Sequence, residues 1–344
     1  MYDDDLLSAL VTRIVAVDRE TWHGFFNRLL ARKLRRGEAA AVFMSLSTTM
    51  PDNDTLGNLL TCLDERRPAP EVGFAGAVNI VGTGGGPRTF NLSTAAALVA
   101  AAMGVRVVKT GSRGYTSRYG SVDMLDRLGI RLTASYQETA ESLERFGVAF
   151  AGPFVYPAEI GLLAREILPL DLRVIGRFVN SIGPFLAAMP VSAQLTGVSD
   201  PALLPSLRFL AARHSERRVW LCHNDLRIDE LVGFADNVIE TENGGVALPA
   251  GAHTSAEGEF TELAGTEGDP VEQFRDVLGG RANDTAVETV CLNAAALSVL
   301  GGTHDDWAKA IRVAEETVRG GAAIDLVNRM RSARSANLLA AGHA

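Results

Sequence analysis

The chain has 344 residues, 47% hydrophobic and 22% charged, the proportions of an ordinary globular protein with room for two domains or one large one. A net charge of −8 argues against non-specific binding to nucleic acid. The longest apolar run, residues 95–103, is far below the roughly 20 residues that cross a bilayer, and Cys62, Cys222 and Cys291 lack disulfide-framework or zinc spacing.

Met1-Tyr-Asp-Asp-Asp5 is acidic rather than basic, unlike a signal peptide, so a cytoplasmic protein is expected, with no nucleic-acid or membrane partner. Residues 5 to about 66 read as helices, with Leu6, Leu10, Ile14 and Val15 at helical spacing and Phe25, Leu29, Leu30 and Leu34 repeating the pattern. They form a small helical domain over residues 1–68, closed by the linker Arg66-Arg-Pro-Ala-Pro70. The apolar stripe of Phe25, Phe26, Leu29 and Leu30 suggests a surface buried against a second copy of the chain, a homodimer.

From Gly73 the pattern alternates strand and helix. Ala77 to Val81 leads into a helix reaching Met103. Val105 to Val108 precedes a helix near residues 122–128, and Gly147 to Phe150 precedes one over residues 157–167. Arg218 to Cys222 and Asn237 to Glu240 read as further strands, and residues 251–269 as mostly loop. Thr285 to Leu300 and Asp305 to Arg319 read as helices, followed by a fraying Ala/Ser-rich tail after Arg331. The expected fold is α/β: residues 73–344 form a larger domain whose mostly parallel sheet is covered by helices.

The most informative stretch is Val81-Gly-Thr-Gly-Gly-Gly-Pro-Arg-Thr-Phe-Asn-Leu-Ser-Thr94. A glycine cluster between a strand and a helix leaves backbone N–H groups and the positive end of a helix dipole facing one point, an arrangement suited to phosphate. Ser93 and Thr94 stand at the expected N-cap. The dinucleotide fingerprint would need a glycine where Pro87 stands, and a P-loop would need Gly-Lys-Ser/Thr; neither is present.

Further motifs follow in order: Lys109-Thr-Gly-Ser-Arg113, Thr116-Ser-Arg-Tyr-Gly-Ser-Val-Asp123, Asn180-Ser-Ile-Gly-Pro184 read as a turn, Ile228-Asp229-Glu230 with His223 upstream, and Leu292-Asn-Ala-Ala295. With the glycine loop, this series resembles the anthranilate phosphoribosyltransferase family (glycosyltransferase family 3, a nucleoside-phosphorylase-like fold), as a divergent paralogue. The resemblance implies a small helical domain completed by residues from about 158 to 190. It also implies a homodimer, Mg2+ as cofactor, and phosphoribosyl pyrophosphate plus a small aromatic acceptor as substrates. Donor contacts would come from Gly82, Gly85, Gly86, Thr89, Asn91, Ser93, Thr94, Lys109, Gly111, Arg113, Ser117 and Ser121. Metal ligands would be Ser93, Asp229 and Glu230, an adjacent carboxylate pair in a polar turn. No protein nucleophile is required, since electrostatic stabilisation and proximity carry such a reaction.

Departures from the family cluster on the acceptor side. Gly86 stands where the family loop has an aspartate, and Thr110 and Ser112 replace a histidine and an asparagine. Tyr156 replaces a histidine, and the acceptor-carboxylate arginine is either Arg165 or Arg173. These changes lead to the expectation of a related but altered acceptor, another small aromatic or heterocyclic compound, with retained anthranilate activity as the alternative. A nucleoside phosphorylase-like enzyme and a nucleic-acid-binding relative are further alternatives. The metal-site residues count against the first, and the acidic charge with few lysines against the second.

Overall fold

The structure is a computed structural model that describes residues 5–111, 120–170, 175–265 and 268–341. Contacts divide the chain into two compact units.

The first unit comprises Met1–Pro70, Pro153–Ala188 and Ala202–Arg213. Its helices are α1 (Asp5–Thr12), α2 (Arg19–Leu30), α3 (Glu38–Thr48), α4 (Asn53–Glu65), α8 (Ala158–Glu166), α9 (Arg177–Leu186) and α10 (Leu204–Ala212). Asp18 and Asp52 start α2 and α4 by accepting the Thr21 and Thr55 backbone N–H groups, each at 2.8 Å. Trp22, Phe25 and Phe26 interlock in the core, with Phe25 and Phe26 edge to face at 5.3 Å. The apolar stripe of α2 is therefore consumed inside this unit, except for Leu30, which is 50% exposed. The large aliphatic side chains otherwise left on this unit's surface are Val11, Ile14, Val15, Met44, Leu168 and Leu170. Asn180-Ser-Ile-Gly-Pro184, expected as a turn, lies within α9.

The second unit comprises Glu71–Gly152, Met189–Pro201 and His214–Ala344. Its sheet holds β1 (Phe74–Gly82), β2 (Val107–Thr110), β3 (Val148–Ala151), β4 (Val191–Gly197), β5 (Arg218–Asn224), β6 (Asn237–Thr241) and β7 (Gly244–Leu248) in the order β3-β2-β1-β4-β5-β6-β7. The first five in that order are parallel, and β6 and β7 add an antiparallel hairpin edge. Helices α5 (Leu92–Ala102), α6 (Ser121–Leu128), α7 (Tyr136–Phe146), α11 (Phe260–Leu263), α12 (Pro270–Leu278), α13 (Asp284–Gly301), α14 (Trp307–Arg319) and α15 (Ala322–Ala341) complete the unit. Ala95, Leu98 and Val99 of α5 pack with Ala294, Ala295 and Leu297 of α13 and with Val78 and Ile80 of β1 in one buried core. Small residues on both helices allow that close approach.

Two expectations change here. The chain after Arg331 is helical to Ala341 rather than frayed. Helix α5 begins with Asn91 as its N-cap, so Ser93 and Thr94 lie inside the first turn and not at the cap. The connections place the site: the chain steps from β1 outward to β2 and β3, then crosses to the other side of β1 with β4. In an open parallel sheet such a reversal leaves a crevice at the C-terminal strand ends, where ligands bind.

Candidate active site

The loop after β1 occupies that crevice. Gly84 and Gly85 take φ values of 64° and 83°, which glycine adopts freely. A Cβ on Gly82 would collide with the Asp229 carboxylate, and one on Gly86 with the Arg227 carbonyl, so residues 82–86 lie directly against residues 227–229. Lacing to the end of β4 holds the loop in place. The Thr83 N–H donates to the Gly197 carbonyl at 2.9 Å. The Ser199 N–H donates to Thr83 Oγ1 at 3.2 Å, and the Ser199 hydroxyl to the Gly84 carbonyl at 2.5 Å. Thr89, Asn91 and Ser93 remain partly accessible where the loop enters α5. Thr94 is fully buried, and its hydroxyl has no hydrogen-bond partner among the described residues.

The facing wall is the turn after β5. Asn224 ties it with its side chain, accepting the Ile228 N–H at 3.1 Å and donating to the Ile228 and Glu230 carbonyls at 3.1 and 2.9 Å. Asn293, on α13, accepts the Leu231 N–H at 3.1 Å and donates to the Leu231 carbonyl at 2.8 Å. Two buried amides thus fix Asp229 and Glu230 from both sides. Arg227 sits in the turn at φ 58°, one of the few non-glycine residues in the left-handed region.

Lys109, Asp229 and Glu230 form the charged floor of the site. Lys109, at the end of β2, is 3% exposed, and its Nζ donates to the Ile80 carbonyl at 2.9 Å. Burial lowers its pKa to about 8 against the pull of Glu230 and Asp229. Burial raises the Asp229 pKa, opposed by the Gly84 N–H, which donates to its Oδ2 at 2.9 Å, and by Lys109. Glu230 is raised well above a normal glutamate, first by burial and then by the Asp229 charge; Lys109 and a bond from the Ser93 N–H oppose this. The pair expected to lie in a polar turn is thus substantially removed from water.

This donor set fits a hard divalent cation. Two adjacent carboxylates share one lysine, Glu230 Oε2 has no hydrogen-bond partner among the described residues, and Ser93 of α5 abuts Glu230. Among the described residues no three His, Cys, Asp or Glu side chains gather as a closed metal cage. A cation held by two carboxylates that completes its shell with water and phosphate oxygens matches that arrangement.

Gly82, Gly85, Gly86, Thr89, Asn91, Ser93, Thr94, Lys109, Asp229 and Glu230 therefore belong to one crevice of the second unit. Gly111 and Ser121 meet beside it, since a Cβ on Gly111 would strike the Ser121 hydroxyl. Thr110 is 2% exposed and packed within the unit. Tyr156, which follows a short turn at Pro153–Val155, and Arg165, in the last turn of α8, belong to the first unit. Ser112, Arg113, Ser117 and Arg173 lie outside the described residues. Sequence reading passed over Thr83, Ser199 and Asn224, whose work is to shape the backbone. The only signal for Thr83 was its place within the glycine cluster.

A model of the glycosyl transferase family, a/b domain, matches residues 75–324. An anthranilate phosphoribosyltransferase of Syntrophobacter fumaroxidans is 34% identical over 72% of this chain and 74% of its own. Anthranilate phosphoribosyltransferase from Thermus thermophilus superposes with a TM-score of 0.76 at 25% identity, covering 96% of this chain and 99% of that one. The Saccharomyces cerevisiae enzyme, solved in complex with phosphoribosyl pyrophosphate and Mg, has the same fold, with a TM-score of 0.77 at 21% identity and 92% of each chain covered. With its glycine loop and carboxylate pair at the switch point of the sheet, this chain belongs to the anthranilate phosphoribosyltransferase family, a family of pentosyltransferases.

Proposed function

We propose that this protein is an Mg2+-dependent anthranilate phosphoribosyltransferase, which joins the anthranilate amine to C1′ of phosphoribosyl pyrophosphate and releases diphosphate. The observation that carries the reading is the convergence of the glycine loop, Lys109, Asp229 and Glu230 at the C-terminal ends of β1, β2 and β5. The amides of Gly82, Gly85 and Gly86, with Thr89 and Asn91, would receive the diphosphate at the N-terminal end of α5. Thr94, Gly111, Arg113, Ser117 and Ser121 would complete the donor site. Asp229 and Glu230, with Ser93 beside them, would hold the metal. Bound Mg2+ supplies charge neutralisation for the departing diphosphate. The charge of Lys109 opposes the burial that raises the pKa of both carboxylates, and so favours their ionised, metal-binding form.

The C–N bond forms from the amine lone pair as the C1′–O bond breaks, and that bond's electrons leave with diphosphate. The amine proton passes to solvent, so the chain's task is orientation and electrostatics. The acceptor carboxylate would pair with Arg165 or Arg173. Anthranilate is a better supported acceptor than an altered compound, because a relative matching most of the chain at 34% identity carries that activity in its name. The substitutions at Thr110 and Ser112 are the remaining argument for an altered pocket, and the burial of Thr110 weakens it.

Purified protein mixed with both substrates and Mg2+ should consume anthranilate and release diphosphate in equal amounts, and chelation of the metal should stop both. Diphosphate release with a different aromatic amine and none with anthranilate would reinstate the altered acceptor. No release with any amine would overturn the reading. We also infer a homodimer in the cytoplasm, supported by the exposed aliphatic residues near the end of α1. Among the described residues no helix is long and apolar enough to cross a membrane.

A further inference from the structure

We propose that Arg227 is a diphosphate-binding residue that supplements the glycine loop, an inference that rests on the donor site described above. Three observations carry it. The Arg227 carbonyl lies where a Cβ of Gly86 would fall, which fixes this residue's backbone against the part of the loop meant to receive the anion. Its φ of 58° is one that glycine or asparagine would adopt at less cost, so a bulky cationic side chain is kept where a smaller residue would fold more comfortably. The guanidinium is exposed and has no ion pair or hydrogen bond among the described residues, although Asp225 and Asp229 lie two positions to either side.

Several other arginines among the described residues are anchored, whereas Arg227 and Arg88, the latter in the glycine loop, are not. Arg28 pairs with Glu38, Arg66 with Glu159 and Arg281 with Asp276. An arginine left free at the rim of an anion site, on the same turn that carries Asp229 and Glu230, brings a planar donor fork to phosphate oxygens seated on the Gly85 and Gly86 amides. The arrangement also offsets the negative charge that the carboxylate pair would otherwise present to an incoming anion. Arg227 thereby sets affinity for the diphosphate group, both in the donor and in the released product.

The test is calorimetric titration of the full-length protein with inorganic diphosphate in the presence of Mg2+, without acceptor. Arg227→Gln keeps a polar, unbranched side chain on the same left-handed backbone but removes the charge. It should weaken diphosphate roughly ten- to hundredfold, the worth of charge-assisted hydrogen bonds. Arg227→Lys should recover a large part of that loss. Arg227→Gly should bind as weakly as the glutamine variant while melting no lower than the parent. Equal diphosphate affinity in parent and glutamine variant would overturn the proposal and leave the donor site intact. Equal weakening by glutamine and lysine would also overturn it, by assigning the effect to the shape of the turn. A parent that binds neither inorganic diphosphate nor phosphoribosyl pyrophosphate would remove the donor site itself, and this inference with it.

Discussion

Asp229 accepts the backbone N–H of Gly84 at 2.9 Å, so a carboxylate assigned to metal binding also caps an amide of the anion loop. The two halves of the crevice are coupled through this bond and through the one that Glu230 receives from the Ser93 N–H. In the proposed site, drawing Asp229 toward a cation would free the Gly84 N–H for the anion.

Alanine substitutions at two glycines separate that coupling from the fold. At Gly82 the added methyl meets the Asp229 side chain, which can rotate away; at Gly197 it meets the Asp229 backbone, which is pinned by its neighbours. Gly82→Ala should keep its melting temperature within a few degrees and lose donor binding by tenfold or more. Gly197→Ala should cost about 1–3 kcal/mol of stability, near the upper end because backbone must shift. Thermal melts with and without phosphoribosyl pyrophosphate and Mg2+ distinguish the two; a Gly82→Ala variant binding donor normally would show that Asp229 is free to move without consequence.

Glu230 supplies a prediction about metal. Its pKa is raised in the folded chain, so it holds a proton that the unfolded chain releases. That contribution is fully present below the unfolded pKa near 4.5 and is lost as pH rises through the folded value. At pH 8 without metal, Glu230→Gln should therefore melt at or above the parent temperature. Saturating Mg2+ should raise the parent melt by a few degrees and leave the variant unmoved. A parent indifferent to Mg2+ would remove Glu230 as a ligand.

Lys109 gives the opposite sign. Its folded pKa of about 8 lies below the unfolded 10.5, so between those values the unfolded chain binds more protons and stability rises with pH. Subtracting the pH profile of Lys109→Met from that of the parent should isolate this slope, up to about 1.4 kcal/mol per pH unit. Chemical denaturation from pH 7 to 10.5 measures it. A flat difference would mean the ammonium keeps its proton throughout.

What was legible in the sequence follows from what physics makes local. Gly82 and Gly86 announce themselves because no side chain fits where those backbones touch residues 227–229. Strand β4 went unread because its buried face carries Gln194 and Thr196, which break the apolar pattern and satisfy each other at 3.0 Å. Strand β7 begins Gly244-Gly245 on an exposed edge and carries little strand signal. Helix α7, Tyr136-Gln-Glu-Thr-Ala-Glu-Ser-Leu-Glu-Arg-Phe146, buries only Thr139 and Leu143, so its apolar stripe is too thin to stand out. The burial of Asp229 and Glu230 could not be foreseen from a polar turn, since Asn224 and Asn293, far apart in sequence, are what draw that turn inward. The α2 stripe carried the converse error: its period identified a buried face, and only the fold could tell a core from an interface.

That correction moves the expected dimer surface to the end of α1. Val11, Ile14 and Val15 are 72%, 83% and 68% exposed, a cluster of aliphatic side chains on a unit whose other large apolar groups are mostly inside. Aliphatic surface of this kind gains about 25 cal/mol per Å2 when covered, and a second copy offers a symmetric cover. Sedimentation of the parent at micromolar concentration should give twice 36.6 kDa. The double change Val11→Lys with Ile14→Lys places charges on side chains already in water, so the fold should persist while the mass falls to that of one chain. Its melting temperature should then lose the concentration dependence that association confers on the parent. A monomeric parent would dismiss the dimer. A dimeric double variant would keep the dimer and place its interface elsewhere on the chain.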